Sequence, residues 1–425
     1  MTSKSNAAVR ILATGAINRP DILAVLDKLR PVAQLEFVEY SQMYSEPLAP
    51  ERYAPYGPVT PWEQYTSAQS LLDSTRPAAI VLFYVSSLNQ VALRIAAHSR
   101  AIPTIHVEHG IRLSPEDPLA RRFLREQAQK RFSRRRPSLI STLANYRFAL
   151  GTWARLTGVH RAALGRYLAT VGLRGATYEV LQSTANIRRP DGYLSFSEQC
   201  LAYHRDVDRI PGSWPTKLVG FPQFDEFLPR TADVDPRLAV LIDHQFHNLG
   251  LFGWTNDFRT TWVARIVDLV EKFDLRLLVK QHPEDRSGAW ERWRGHPRIE
   301  VVDRDGLMDA LPRVGLILGT FSTLQIPLAA MPHTALVTLE IHPNPDEFPS
   351  RSFVETGAAT AAFTWDALER LISRRAELAR EQAARKDAFI EKFLHKMDGR
   401  AGERLRDALM TLDWAPVRRF GMEDA

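Results

Sequence analysis

Cysteine is almost absent from this chain. Cys200 stands alone in 425 residues, which excludes an intramolecular disulfide and argues against a cysteine-built metal cluster. Long hydrophobic runs are missing too. The longest, Ala78 to Val85, falls far short of the roughly 20 residues that cross a bilayer. The opening MTSKSNAAVR has no apolar core followed by a small-residue cleavage site, so no secretory signal is expected and the chain reads as cytoplasmic. Two glycine-rich nucleotide loops are also lacking. Without a GxxxxGK(S/T) motif, ATP hydrolysis is not expected, and the Thr14-Gly15-Ala16 turn lacks the GxGxxG spacing of dinucleotide binding. What is present is the balance of a globular protein, 45% hydrophobic and 24% charged, long enough for two or three domains at roughly 150 residues each.

The net charge of +6 is concentrated. Arg121, Arg122, Arg125, Lys130, Arg131, Arg134, Arg135 and Arg136 face one acid, Glu126, so residues 121–137 carry +7 and the rest of the chain sums to −1. A local anionic target fits this better than wholesale wrapping of nucleic acid.

Strand-like and helical patterns alternate along the chain. In the N-terminal part, strands are expected at residues 9–14, 34–40, 78–85 and 102–107, with helices at 21–29 and 88–99 and a proline- and tyrosine-rich loop at 44–62. Residues 115–181 read as a helical insertion beginning with the basic cluster. Strands resume at 193–196 and 217–219, and prolines and acids at 220–236 mark a domain junction. A second series has strands at 238–242, 275–280, 298–302, 314–318 and 334–339, helices at 261–273 and 306–311, and from Trp365 onward a long charged helix followed by a second. This pattern predicts an α/β protein of two Rossmann-like domains facing across a cleft, residues 1–220 and 237–425, with ligands beyond the strand C-termini.

Three segments at such strand ends can carry chemistry. Glu108-His109-Gly110-Ile111 places a neutral imidazole where it can take a proton from a hydroxyl, unless it merely holds the loop. Lys280-Gln281-His282-Pro283-Glu284 sets a histidine beside the first amides of a following helix, a positive site suited to phosphate. His296-Pro297 precedes a strand instead and reads as turn chemistry. Gly319-Thr320-Phe321-Ser322-Thr323 offers hydroxyls and amides to phosphate oxygens, or plain N-capping. Of three Asp-X-Asp triplets, at 206–208, 233–235 and 303–305, only the last follows a strand, and a solvated turn explains it. Asp243-His244-Gln245-Phe246-His247 has no third metal ligand at clear spacing and reads as the first loop of the second domain.

In order and spacing, His109-Gly110, the junction Val219-Gly220-Phe221-Pro222-Gln223-Phe224-Asp225, the strand with His282-Pro283 and the Gly319–Thr323 turn resemble the GT-B-fold transferases of bacterial surface polysaccharides. These include the CDP-glycerol glycerophosphotransferases and the capsule Kdo- and polysialyltransferases. The resemblance implies a nucleotide-activated sugar or polyol donor, linked to CMP, CDP or UDP, held near His282, Lys280, Gly319, Thr320, Ser322 and Thr323. It implies a glycan or lipid-linked acceptor over the first domain, with His109 as base and Glu108 as its understudy, and no metal or other cofactor. Arg121, Arg122, Arg125, Arg131, Arg134, Arg135 and Arg136 would meet acceptor or the inner membrane surface, with no role for nucleic acid. A UDP-N-acetylglucosamine 2-epimerase of the same architecture, or a non-catalytic partner in polysaccharide assembly, are the alternatives.

Overall fold

The computed structural model describes residues 9–43, 46–112, 139–175, 177–226, 233–282, 285, 287–320 and 322–411. The basic cluster at Arg121, Arg122, Arg125, Lys130, Arg131, Arg134, Arg135 and Arg136 lies outside the described residues, as do Pro283, Glu284 and Phe321. The chain forms two compact units, residues 1–225 with 400–425, and residues 226–399.

The first unit is built on seven parallel strands: β1 (Val9–Thr14), β2 (Ala33–Glu39), β3 (Val59–Pro61), β4 (Ala79–Leu82), β5 (Thr104–Val107), β6 (Gly192–Ser195) and β7 (Thr216–Leu218). Their order is β3-β2-β1-β4-β5-β6-β7. Strands β4, β5 and β6 are buried along their whole length, as expected of a parallel sheet covered on both faces. The order reverses between β1 and β4, so the loops leaving these two strands diverge and open a crevice at their C-terminal ends. The helix Leu88–Ser99 starts where Ser87 and Gln90 form a reciprocal capping box. It packs with Phe148, Ala149, Leu164 and Tyr167 from the helices Leu139–Arg155 and Gly158–Arg174. Gly151 lets the helix Leu139–Arg155 also lie against the backbone at Thr66, because a Cβ there would sit 2.1 Å from the Thr66 carbonyl oxygen.

The second unit repeats the scheme with six parallel strands: β8 (Asp235–Ile242), β9 (Arg276–Lys280), β10 (Ile299–Val301), β11 (Val314–Gly319), β12 (Ala335–Leu339) and β13 (Thr360–Ala362). Their order is β10-β9-β8-β11-β12-β13, with the reversal between β8 and β11.

Three expectations change. The segment 44–62, read as loop, contains the helix Pro50–Tyr53, strand β3 and a 3-10 turn at Trp62–Gln64. Tyr53 and Trp62 are buried, and the Tyr53 hydroxyl accepts the Asn18 N–H at 2.8 Å. The long C-terminal helix is instead three short ones, Trp365–Ser373, Arg375–Ala383 and Lys386–Leu394. Tertiary anchors position them. Gln382 bonds both the N–H and the carbonyl of Leu336, and the buried Lys386 ammonium donates to the carbonyls of Ala329 and Thr334. The last described helix, Ala401–Thr411, groups with the first unit and not with residues 237–399. The Asp225 carboxylate accepts the Ala401 and Gly402 N–H groups, both at 2.8 Å, which caps that helix.

Candidate active site

In the first unit, β5 delivers Glu108 and His109 to the C-terminal edge of the sheet. Glu108 is fully buried and every part of its carboxylate is engaged. Oε1 accepts Arg112 Nε–H at 3.0 Å and the His109 N–H at 3.2 Å. Oε2 lies 2.8 Å from His204 Nε2. The opposite nitrogen of His204 is 2.7 Å from Asp208 Oδ2, so two carboxylates clasp one imidazole. Only an imidazolium, with a proton on each nitrogen, satisfies both. Burial opposes that charge, but Glu108 and Asp208 override it and raise the His204 pKa. Burial likewise opposes the Glu108 charge, and Arg112 and His204 outweigh it, holding the carboxyl well below its ordinary value.

His106, Glu108 and His204 bring their ligand-type atoms within 4.8 Å of one another, and His106 Nε2 has no hydrogen-bond partner among the described residues. Two imidazoles and a carboxylate are a donor set that a divalent cation can use, but the charges around it are already balanced. Arg112 already neutralises Glu108, and Arg188 stands 3.9 Å from Asp208, so a metal would add two charges where the proton on His204 adds one.

His109 is 8% exposed, with Nε2 2.5 Å from the Tyr84 hydroxyl. Tyr84 follows β4, and its ring lies 4.4 Å from the imidazole, centroid to centroid. Burial, and then the nearby Arg112 charge, push the His109 pKa well below 6.5, so the ring is neutral at physiological pH. Cys200 is inert beside it. Burial raises its thiol to about 12, and its Sγ faces the Gly110 carbonyl at 3.7 Å.

The first βα turn of this unit is already filled. The Gly15 and Ala16 N–H groups donate to Glu39 Oε1 at 2.7 and 2.8 Å. Burial raises the Glu39 carboxyl to about 8 against these hydrogen bonds. The amides that hold a dinucleotide phosphate in other Rossmann-type folds here hold a side chain of the protein itself.

In the second unit, register places Lys280, Ile242, Gly319 and Thr338 side by side in one row, at the C-terminal ends of β9, β8, β11 and β12. Lys280, Gly319, Thr320, Ser322, Thr323 and His282 therefore leave the same sheet edge. Gly319 must lack a side chain, since a Cβ would lie 2.8 Å from Gln325 Nε2 and 2.9 Å from the Ile242 carbonyl oxygen. Lys280 Nζ donates to the Gln281 carbonyl at 3.0 Å, and burial lowers its pKa. The His282 ring is 5.6 Å from His244. Burial, then the charge of His282, drop the His244 pKa to about 3. The loop after β8 is braced by Asp243, which accepts from Arg259, from Trp290 Nε1 at 2.8 Å and from the His244 N–H at 2.9 Å.

The same edge carries polar groups that the sequence reading does not single out. Gln325 is 0% and Glu340 1% exposed, yet neither the amide of the first nor the carboxylate of the second has a hydrogen-bond partner among the described residues. Thr338 Oγ1 and His342 Nε2 are in the same condition. His342 Nδ1 accepts Trp254 Nε1–H at 3.0 Å, so its proton sits on Nε2, 3.5 Å from Glu340 Oε2. The rule that selects Glu108 and His109, an acid and a histidine directly after an apolar strand, also fits Glu340-Ile341-His342. Gln325 gives no such signal beyond being polar within an apolar stretch.

Two parallel α/β units of this kind define the GT-B architecture, and the expected fold class holds. No protein-family model matches the chain, and no curated protein matches its sequence. Among solved structures, the chain is similar to the UDP-GlcNAc 2-epimerase of Neisseria meningitidis bound to UDP-GlcNAc, at 9% identity over 96% of this chain and 100% of that one, TM-score 0.52. It is similar to S. aureus MnaA with UDP, at 12% identity over 95% of each chain, TM-score 0.51. It is also similar to the kitacinnamycin glycosyltransferase, at 13% identity over 94% of this chain and 97% of that one, TM-score 0.51. At these identities the likeness establishes the fold.

Proposed function

We propose that this chain is a GT-B-type transferase that moves a sugar, or a polyol phosphate, from a nucleotide-activated donor to a growing bacterial surface glycan. The observation that carries the donor assignment is the set of buried polar atoms on the second unit that lack a hydrogen bond among the described residues: the Gln325 amide, Thr338 Oγ1, the Glu340 carboxylate and His342 Nε2. Buried polar atoms are normally satisfied, and a polyhydroxylated ligand supplies the donors and acceptors that these lack. His282, Lys280 and the turn at Gly319, Thr320, Ser322 and Thr323 would hold its phosphates at the neighbouring strand ends. On the first unit, His109 is the base. It is neutral at working pH, and the Tyr84 hydroxyl, 2.5 Å from its Nε2, would pass its own proton inward as it receives one from an incoming hydroxyl. Glu108 holds Arg112 and His204 in place. In this reading side chains and backbone amides balance the leaving phosphate, without a metal.

The UDP-GlcNAc 2-epimerase among the similar structures favours a second reading, an isomerase acting on a UDP-sugar. One experiment tests both. Thermal denaturation is followed against CMP, CDP, UDP, GDP and their sugar and glycerol conjugates. A ligand of the folded state adds about 2.7 kcal/mol at a hundredfold excess over its dissociation constant. The responding conjugate is then incubated with and without glycan acceptor. Nucleotide release that depends on acceptor supports the transferase; a rearranged sugar with no acceptor supports the isomerase. A folded protein that responds to none of the panel overturns the donor site.

A further inference from the structure

Residues 127–178 contain no aspartate or glutamate, in a chain with 49 acidic residues, and they carry ten lysines and arginines. Most of this stretch is the pair of helices Leu139–Arg155 and Gly158–Arg174, joined by Leu156 and Thr157. The first has two apolar faces. Phe148, Ala149 and Thr152 are buried in the core of the unit. Leu143, Tyr146 and Leu150, at i, i+3 and i+7, share another face and are 69%, 42% and 51% exposed. Val159 and Leu173, on the second helix, are 48% and 86% exposed. Five of the eight large hydrophobic side chains exposed among the described residues thus fall on these two helices. Arg147, Arg155, Arg161, Arg166 and Arg174 stand exposed among them. None sits in an ion pair among the described residues; Arg161 lies over the Trp153 ring and Arg147 donates to the Glu63 carbonyl.

We propose that these two helices seat the first unit on an anionic phospholipid surface. Exposed leucines bordered by arginines that sit in no ion pair among the described residues, with no acid within the two helices to repel the headgroups, match the layered chemistry of that surface: apolar side chains enter the acyl boundary and guanidinium groups meet phosphate. A second copy of the chain fits poorly, because a self-complementary contact would bring arginine against arginine. An acidic glycan would meet the arginines but leave the leucines without a role. The inference stands on these helices alone and does not depend on the transferase reading.

The test is co-sedimentation of the full chain with vesicles of phosphatidylcholine, and of an equimolar mix with phosphatidylglycerol, at low and high salt. Binding to the anionic vesicles, absent from the neutral ones and weakened by salt, is the expected result. The double variant Leu143→Glu/Leu150→Glu and the single variant Leu173→Glu should each weaken it about tenfold or more. Their melting temperatures should not move, because the replaced side chains are exposed, and Arg166→Glu/Arg174→Glu should weaken binding without touching an apolar residue. Absence of binding, equal binding to neutral vesicles, or indifference to the leucine variants overturns the proposal. So does a dimer in sedimentation equilibrium that Leu143→Glu/Leu150→Glu dissociates.

Discussion

Glu108 and Glu340 occupy corresponding positions, each one residue past a buried parallel strand, and their surroundings are opposite. Glu108 has a guanidinium, an imidazolium and a backbone amide around it. Glu340 has no hydrogen bond to either oxygen among the described residues, only the His342 imidazole 3.5 Å from Oε2. A buried carboxylate whose valences are closed by the protein is part of the frame, since removing it strands its partners. One whose valences are open is held ready for something that arrives. Electrostatically, then, the first unit is complete around Glu108 and the second is incomplete around Glu340.

Substitution puts that contrast under strain. Glu108→Ala should have the largest effect, about 3–5 kcal/mol of stability lost, because Arg112 loses its carboxylate and protonated His204 keeps only Asp208 of its two; denaturant titration reads it. Glu39→Gln comes next and is pH-dependent. The Glu39 carboxyl titrates near 4.5 when unfolded and at about 8 in the fold. The fold therefore favours its neutral form, and this stabilisation, full below pH 4.5, disappears as pH rises through 8. Unfolding measured from pH 5 to 9 should show wild type losing about 2–4 kcal/mol that the glutamine variant retains.

His109→Ala should lower kcat/KM at least about a hundredfold and cost less stability than Glu108→Ala. In the wild type, kcat/KM should hold down through pH 6.5 and fall only in more acid solution, because burial and Arg112 depress the imidazole pKa. Glu340→Gln should have the smallest effect on folding, within about 1 kcal/mol and of either sign. It should nonetheless abolish the nucleotide-induced rise in melting temperature. If Glu340→Gln destabilised the protein as strongly as Glu108→Ala, the two carboxylates would be alike and the contrast would fail.

The sequence made much of this visible, for physical reasons that also mark its limits. Strands buried on both faces, such as β4 and β11, announce themselves as unbroken apolar runs. Edge strands do not. β3 is three half-exposed residues ending in proline, and β13 is Thr-Ala-Ala. The breaks in the C-terminal helices were hidden because no proline or glycine makes them; contacts of Gln382 and Lys386 with distant carbonyls fix where each helix lies. At the site, the position of His109 after β5 is local information and was legible. That Glu108 is closed by His204, 96 residues away, is not local, and no pattern of spacing carries it.

The helix Ala401–Thr411, capped by Asp225, makes the second unit an insertion within the first: the chain leaves at one end of a hydrogen-bonded corner and comes back at the other. Residues 225 and 401 are close enough to share a carboxylate. A short glycine-serine bridge replacing residues 226–399 should therefore leave the first unit with both its strands and its closing helix, whereas a simple truncation after Asp225 would discard a piece of that unit's own surface. In the language of protein engineering, the separable module here is the middle of the chain, not its C-terminal half.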